Sequence, residues 1–239
     1  MPRNVRVTIV QPDPLVPVDR LGPWLAGSGV MVRAVPLWKL PVPTTDELGA
    51  GLVVLGGRMS CHDSQSHQWI APLQQLILEA VDRDFPVLAI CLGHQLLAAA
   101  FGGVVQRDDP RGPERGPVRL TWHQAALEDP VLGRVAMSGP TIVPQSHQDA
   151  VIALPPGASE LASTGLYPSQ AFRLGSALGV QFHPEASPDL MARWAESSGE
   201  DPLLTRRAMR LVDAEVVRNG QLLARAFADQ LRAREVEAA

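Results

Sequence analysis

Short apolar runs alternate with stretches of helical periodicity through the first hundred residues, and this alternation restricts the fold more than any other feature. Val5 to Val10 reads as a first strand, closed by the proline-rich Gln11-Pro12-Asp13-Pro14. Leu21 to Ser28 reads as a helix, and Val30 to Pro36 returns to strand. Gly51 to Leu55 is a short buried strand ended by Gly56-Gly57. Trp69 to Asp84 is a helix with apolar positions at Leu73, Leu76, Ile77, Ala80 and Val81. Val87 to Ile90 is the next strand and Gly93 to Phe101 the next helix. Strand, helix, strand in this order predicts a parallel sheet with helices on both faces. Such sheets bind ligands beyond the carboxyl ends of their strands, which is where Gly56-Gly57 and Cys91 would both lie.

The second half is richer in short strands. Arg107 to Pro117 carries three prolines, two glycines and six charged residues and reads as a surface loop. Val118 to Trp122, Thr141 to Val143, Ala150 to Leu154, Gln170 to Leu174 and Ala177 to Phe182 are strand candidates. From Ser187 the chain turns helical. Asp201-Pro202 supplies a cap and a first-turn proline. The helix they open is expected to reach about Arg234, with Asn219-Gly220 as the point where it would break in two. Its apolar positions, Leu203, Leu204, Leu211, Val212, Val216, Leu222, Leu223, Phe227 and Leu231, supply a stripe for the chain's own sheet or for a dimer or partner interface.

Composition narrows the function classes. A chain of 239 residues that is 46% hydrophobic and 19% charged has the make-up of an ordinary globular protein. It is long enough to bury a core without disulfide or metal staples. A net charge of -4 and no long basic block argue against a nucleic-acid partner. No apolar run nears the roughly 20 residues of a membrane span, and the start at Met1 lacks a signal-peptide core. Two cysteines, Cys61 and Cys91, make no disulfide framework, so the expected home is a reducing cytoplasm. No histidine–cysteine cluster has zinc spacing, and neither metal nor cofactor is expected.

Cys91 ends the apolar run Val87-Leu88-Ala89-Ile90, and a helix follows at once. That is the layout of a nucleophile elbow, a turn that thrusts a side chain out at the carboxyl edge of a sheet. The free N–H groups of the adjoining helix favour thiolate over thiol. Of the six histidines, His183 is the favoured base, because it closes a strand candidate and is followed by Pro184-Glu185. In extended chain His183 and Glu185 point to the same face, so Glu185 would orient the imidazole while its other nitrogen faces the thiol. His94 is the rival, three residues past Cys91, but no carboxylate follows it at orienting distance, and a packing role is expected. A lone cysteine in an apolar run is ordinarily a small core residue, and a lone His-Pro-Glu is ordinarily a turn. Both at strand ends favour the joint catalytic reading. His62, His67 and His123 have no patterned partners, and Cys61 reads as an inert thiol.

Ala89-Ile90-Cys91-Leu92-Gly93-His94-Gln95-Leu96-Leu97, followed by Phe101-Gly102-Gly103, resembles the nucleophile segment of class I (triad-type) glutamine amidotransferases. Gly179 to Glu185 is similar to their His-Pro-Glu segment, Val53 to Ser60 to their oxyanion strand, and Ser146-His147-Gln148-Asp149 to a substrate-side loop. The resemblance covers about residues 5 to 187 and is closest to stand-alone members similar to the glutaminase domain of GMP synthase. It implies one domain on a flavodoxin-like, doubly wound, mostly parallel sheet, with residues 188–239 as a helical extension. It further implies that Cys91 attacks the γ-carbonyl of glutamine, that a γ-glutamyl thioester forms, and that His183 passes a proton to the leaving ammonia. The N–H groups of Gly57 and Leu92 would form the oxyanion hole. Gln95 would touch the substrate side chain, against the alternative of a solvated helix face. His147 would meet the substrate's α-amino or α-carboxylate end, against that of an exposed loop histidine.

Three positions depart from the family pattern. Ala89 replaces a glycine two residues before the cysteine, Arg58 replaces a proline after the glycine pair, and Glu114-Arg115-Gly116-Pro117 replaces a Glu-Ile-Gly-Trp-type segment. Arg58 would put a positive charge at the mouth, suited to an acidic leaving portion. The chain has no room for a synthetase domain and no G-x-x-x-x-G-K-[ST] loop. Expected partners are therefore a small-molecule substrate together with a separate synthase subunit or a second copy of the chain. The alternatives are a stand-alone γ-glutamyl peptide or amide hydrolase and a non-catalytic binding or regulatory protein on the same fold.

Overall fold

A computed structural model describes residues 5–237; the leaderless start expected at Met1 and the last two positions of the extension lie outside the described residues. In the first half the order is β1 (Arg6–Gln11), α1 (Leu21–Gly27), β2 (Met31–Pro36), a 3-10 turn at Thr45–Glu47, β3 (Gly51–Val54), α2 (Ile70–Asp82), β4 (Val87–Ile90) and α3 (Leu92–Ala100). The alternation read from sequence is thus present, with ends shifted by one or two residues. Then come β5 (Val104–Gln106), β6 (Glu114–Trp122), the single-turn helices α4 (Gln124–Leu127) and α5 (Gly133–Ala136), β7 (Thr141–His147) and β8 (Ala150–Ala153). The chain continues through β9 (Ser159–Ser163), β10 (Ala171–Leu174), β11 (Ala177–Val180), α6 (Pro188–Ser197) and α7 (Pro202–Glu237).

One sheet of nine strands runs in the order β2-β1-β3-β4-β11-β10-β9-β6-β7. The five strands from β2 to β11 are parallel, and the remaining four are joined antiparallel. Strands buried on both faces need apolar residues at every position, and β4 supplies them in alternation. Leu88 and Ile90 enter a cluster with Leu21 and Leu25 of α1 and Phe227 and Leu231 of α7. Val87 and Ala89 enter another with Leu73 and Ile77 of α2 and Leu92 and Leu96 of α3. The sheet is therefore covered on both sides, as a doubly wound α/β fold requires. The methyl group of Ala89 is fully buried within that second cluster.

Two local expectations are corrected. Glu114 to Pro117 is strand rather than loop: β6 pairs with β7 from Glu114 to Leu120 and meets β9 only at Thr121 and Trp122. One flank of β6 is therefore unpaired over its first part, where a proline costs no ladder bond. Glu114 is held inside by Thr164 Oγ1 and Gln170 Nε2, each at 2.6 Å. The second correction is α7, which passes Asn219-Gly220 unbroken. A methyl group at Gly220 would strike the Trp24 ring and lie 2.9 Å from Pro184 O, so this glycine lets helix and core approach. Asp201 caps α7, its Oδ1 accepting from Leu203 N at 2.8 Å. The apolar stripe divides: Leu223, Phe227 and Leu231 join the core, whereas Leu203, Leu204 and Leu211 are exposed.

Candidate active site

β4 and α3 join at Cys91 with no intervening loop. Its φ of 51° and ψ of -104° are strained for a residue with a side chain, at a cost of order 1–3 kcal/mol. Such strain is what a nucleophile elbow stores. Cys91 N donates to Val180 O at 2.8 Å, which fixes the elbow to β11. A methyl group at Gly93 would collide with Val54 O, so α3 starts tight against β3. The Leu92 N–H belongs to the first helical turn, where no intrahelical acceptor exists. Cys91 is nearly buried but opens on a cleft of about 510 Å³ at the carboxyl edge of the parallel strands.

β11 ends at Val180, two residues earlier than expected, so His183 and Glu185 lie in a turn rather than in extended chain. Their contact survives: His183 Nδ1 and Glu185 Oε1 are 2.8 Å apart, with both side chains buried. His183 N also donates to Pro144 O at 2.9 Å. Burial by itself would lower the pKa of His183. The Glu185 carboxylate and the nearby Cys91 sulfur outweigh it and push the value up to about 10. A methyl placed on Gly56 would meet His183 Cε1 at 2.8 Å and Cys91 Cβ at 3.3 Å, so thiol and imidazole flank one glycine. Sulfur, imidazole and carboxylate are thus brought together from segments ninety residues apart.

The wall above Gly57 is built by a residue that sequence reading missed. Asp13, just past β1, has a fully buried side chain. It accepts from Arg58 N at 3.1 Å, Arg58 Nε at 2.7 Å and Leu15 N at 2.9 Å. Burial would raise its pKa, but the Arg58 side chain and these amides hold it below the usual carboxylate value. Arg58 is therefore not the free charge expected at the mouth: it sits there neutralised by Asp13. The signal available was position, since Asp13 follows β1 at the same edge as Gly57 and Cys91.

Gln95 is buried, not on a solvated helix face. Its Nε2 donates to Asp149 O at 3.0 Å and Gln181 Oε1 at 3.2 Å. His147 is likewise buried at the end of β7, with Nδ1 3.1 Å from Asp149 O and Nε2 3.3 Å from Glu114 Oε2. Asp149 joins these groups, because its carboxylate also accepts from Ser60 Oγ at 2.6 Å and Asp108 N at 3.0 Å. Gly57, Arg58, Gln95 and His147 all line the cleft with Cys91 and His183.

The remaining candidates lie away from this arrangement. His94 is fully buried against Phe172, and neither ring nitrogen has a hydrogen-bond partner among the described residues. Burial drives its pKa down to about 3. Cys61 is a buried free thiol whose pKa burial pushes up to about 12. His62 contacts Val105 O and His123 contacts Ser163 and Glu160, all outside the cleft. His67 sits beside Trp69. No group of three or more His, Cys, Asp or Glu is arranged to hold a metal among the described residues, and no helix there is long and apolar enough to cross a membrane.

A family model for class-I glutamine amidotransferases matches residues 28–194. Gamma-glutamyl peptidase 4 of Arabidopsis thaliana is 34% identical over 144 residues, which is 59% of this chain and 55% of that protein. A glutamine-hydrolyzing GMP synthase of Helicobacter pylori is 29% identical over 161 residues, 67% of this chain and 29% of the synthase. The chain thus spans about half the length of the first relative and less than a third of the second. A glutamine amidotransferase structure from Thermotoga maritima superposes with a TM-score of 0.81 at 24% identity, over 96% of this chain and 99% of that one. One from Methylobacillus flagellatus gives 0.77 at 27% identity, over 98% and 94%.

Proposed function

This chain belongs to the class I glutamine amidotransferase family, and from that premise we propose that it hydrolyses γ-glutamyl amide bonds through a thioester on Cys91. The observation that carries the reading is the meeting of the Cys91 elbow with the His183–Glu185 pair at one end of the cleft. With its thiol proton held by His183, the Cys91 sulfur attacks the γ-carbonyl carbon, and the carbonyl electrons move onto oxygen. The N–H groups of Gly57 and Leu92 receive that charge; losing one such donor lowers turnover roughly 10²–10³-fold. The C–N bond then breaks, and His183 gives its proton to the departing nitrogen. Water attacks the thioester, His183 takes the water's proton, and the C–S bond breaks to release glutamate and restore the Cys91 sulfur with its proton on His183. Glu185 keeps the ring oriented throughout. Gln95 and His147 both bond Asp149 O and so brace the cleft wall on which the glutamyl end would rest.

Glutamine, with ammonia passed to a separate synthase subunit, is the first substrate this reading supplies. A second reading, hydrolysis of γ-glutamyl peptides by the chain alone, is favoured by the cleft. Its volume of about 510 Å³ is more than glutamine alone would fill. A nucleophilic thiol with no disulfide partner fits a reducing compartment such as the cytoplasm. Purified protein incubated with glutamine and with a panel of γ-glutamyl peptides, read out as glutamate, tests both substrates. Release abolished in Cys91→Ser is the expected result. Persistence of release in that variant would overturn the mechanism, and no release or Cys91 labelling by a glutamine-analogue electrophile would leave a binding protein.

A further inference from the structure

We propose that Trp194, on the first helix of the C-terminal extension, is a positioning residue for His183 that favours the protonated imidazole. The inference rests on reading His183 as the proton carrier of Cys91. The two rings lie with centroids 4.6 Å apart and planes tilted by 54°. At that distance an aromatic face attracts a cation and also limits how the imidazole can rotate. At its Cε1 edge His183 approaches Gly56, where an added methyl would lie 2.8 Å away, so a glycine and an indole both pack close to the ring. Glu185 anchors Nδ1, and Trp194 sets the plane about that anchor.

Trp194 is itself held in place. Its indole N–H donates to Leu15 O at 2.8 Å. It packs with Val16 of the same segment and with Met191, Met209 and Val216 of α6 and α7. Its ring also lines the cleft, so it screens the imidazole from water on that flank. Helix α6 is thus a wall of the site as well as an appendage to the core. Its Ser187 cap, with Oγ accepting from Leu190 N, sets where Trp194 falls.

The charged groups around the ring leave room for such an effect. From its own turn Glu185 faces it, and from the β4–α3 junction Cys91 does. In the segment after β1, Asp13 is occupied by Arg58 and Asp19 by the Ser187 amide. On α6, Arg193 and Glu196 are exposed, and Arg115 of β6 is paired with Glu200. A desolvated cation–π contact then contributes roughly 3- to 30-fold to the protonation equilibrium, or about 0.5–1.5 pH units.

The test is a titration of His183 by NMR on imidazole-labelled protein, with its signal assigned by its loss in His183→Asn. Trp194→Leu is expected to lower the pKa of His183 by about 0.5–1.5 units, and Trp194→Phe to keep it close to wild type. The alkaline limb of kcat/KM for γ-glutamyl substrates is expected to move by the same amount. Should Trp194→Leu fail to fold, Trp194→Met fills more of the space without an aromatic face and takes its place. An unmoved titration in the aliphatic variant, or an equal fall in Trp194→Phe, overturns the proposal. A wild-type protein that releases no glutamate from any substrate would sink the activity reading, and the titration would still decide the role of Trp194.

Discussion

His94 lies three residues from Cys91 and would compete with His183 for the role of base if it could take a proton near neutrality. Its surroundings forbid that. The ring is fully buried, tilted against Phe172 with centroids 4.8 Å apart, and both nitrogens lack hydrogen-bond partners among the described residues. Burial, with a smaller push from His147, lowers its pKa from 6.5 to about 3. The folded chain therefore takes this proton only near pH 3, whereas the unfolded chain takes it at about 6.5. Stability is complete above the higher value and is lost as pH falls toward the lower one. Each unit is about 1.4 kcal/mol, so two units below the unfolded value, at pH 4.5, the loss from this residue is about 3 kcal/mol. Urea unfolding of wild type and His94→Leu across pH 7.5 to 4.5 isolates it, because every other titrating group cancels in the difference. At pH 7.5 the leucine variant is expected within about 1 kcal/mol of wild type, since it also removes two unpaired buried nitrogens. By pH 4.5 wild type should have lost about 3 kcal/mol that the variant keeps. Parallel curves would show that His94 titrates normally, and would reopen its claim as a base.

Cys91→Ser should fold with an unchanged melting temperature and lose at least about 10³-fold in glutamate release, measured by a coupled glutamate assay. Glu185→Gln keeps the shape but removes the charge that raises His183. The alkaline limb of kcat/KM should move down by about a unit or more, and an unmoved limb would contradict the pairing. Gly56→Ala places a methyl 2.8 Å from His183 Cε1 and 3.3 Å from Cys91 Cβ. It should cost roughly 10²-fold in kcat, measured beside calorimetry, through displaced reacting groups; full activity would mean that the ring has room to move. Asp13→Ala removes the acceptor for two backbone amides and the Arg58 side chain. It should cost about 2–4 kcal/mol in urea unfolding and depress turnover by freeing the Gly57 segment, whereas an unchanged midpoint would sink that view of Asp13.

What could be read along the chain, and what could not, divides by the reach of the interaction. The step from Val87-Leu88-Ala89-Ile90 into Leu92-Gly93 is a local signal, an apolar run meeting helical periodicity, and the elbow stands where that signal put it. Parallel pairing then does the rest of the assembly. Ile90 is in register with Val180, so the residues after each strand emerge side by side, and the His183–Glu185 turn arrives at Cys91 although β11 is shorter than expected. Elsewhere local signals misled because distant partners overruled them. Prolines, glycines and charges marked residues 114–117 as loop, yet Glu114 is fixed by partners 33 to 56 residues away. Gly220 reads as a helix breaker until Trp24 and Pro184 are seen against it. Arg58 reads as a free charge at the mouth until Asp13, 45 residues earlier, is placed beneath it. Trp194 gave no signal: on a helix past the recognisable core it is one more apolar position, and only folding brings it to 4.6 Å from the imidazole. Cys91 and the His183–Glu185 turn each follow a strand of the parallel set, and strand order delivers both to one sheet edge. The groups that hold the ring, the loop and the charge depend on pairings between segments that sequence spacing does not encode.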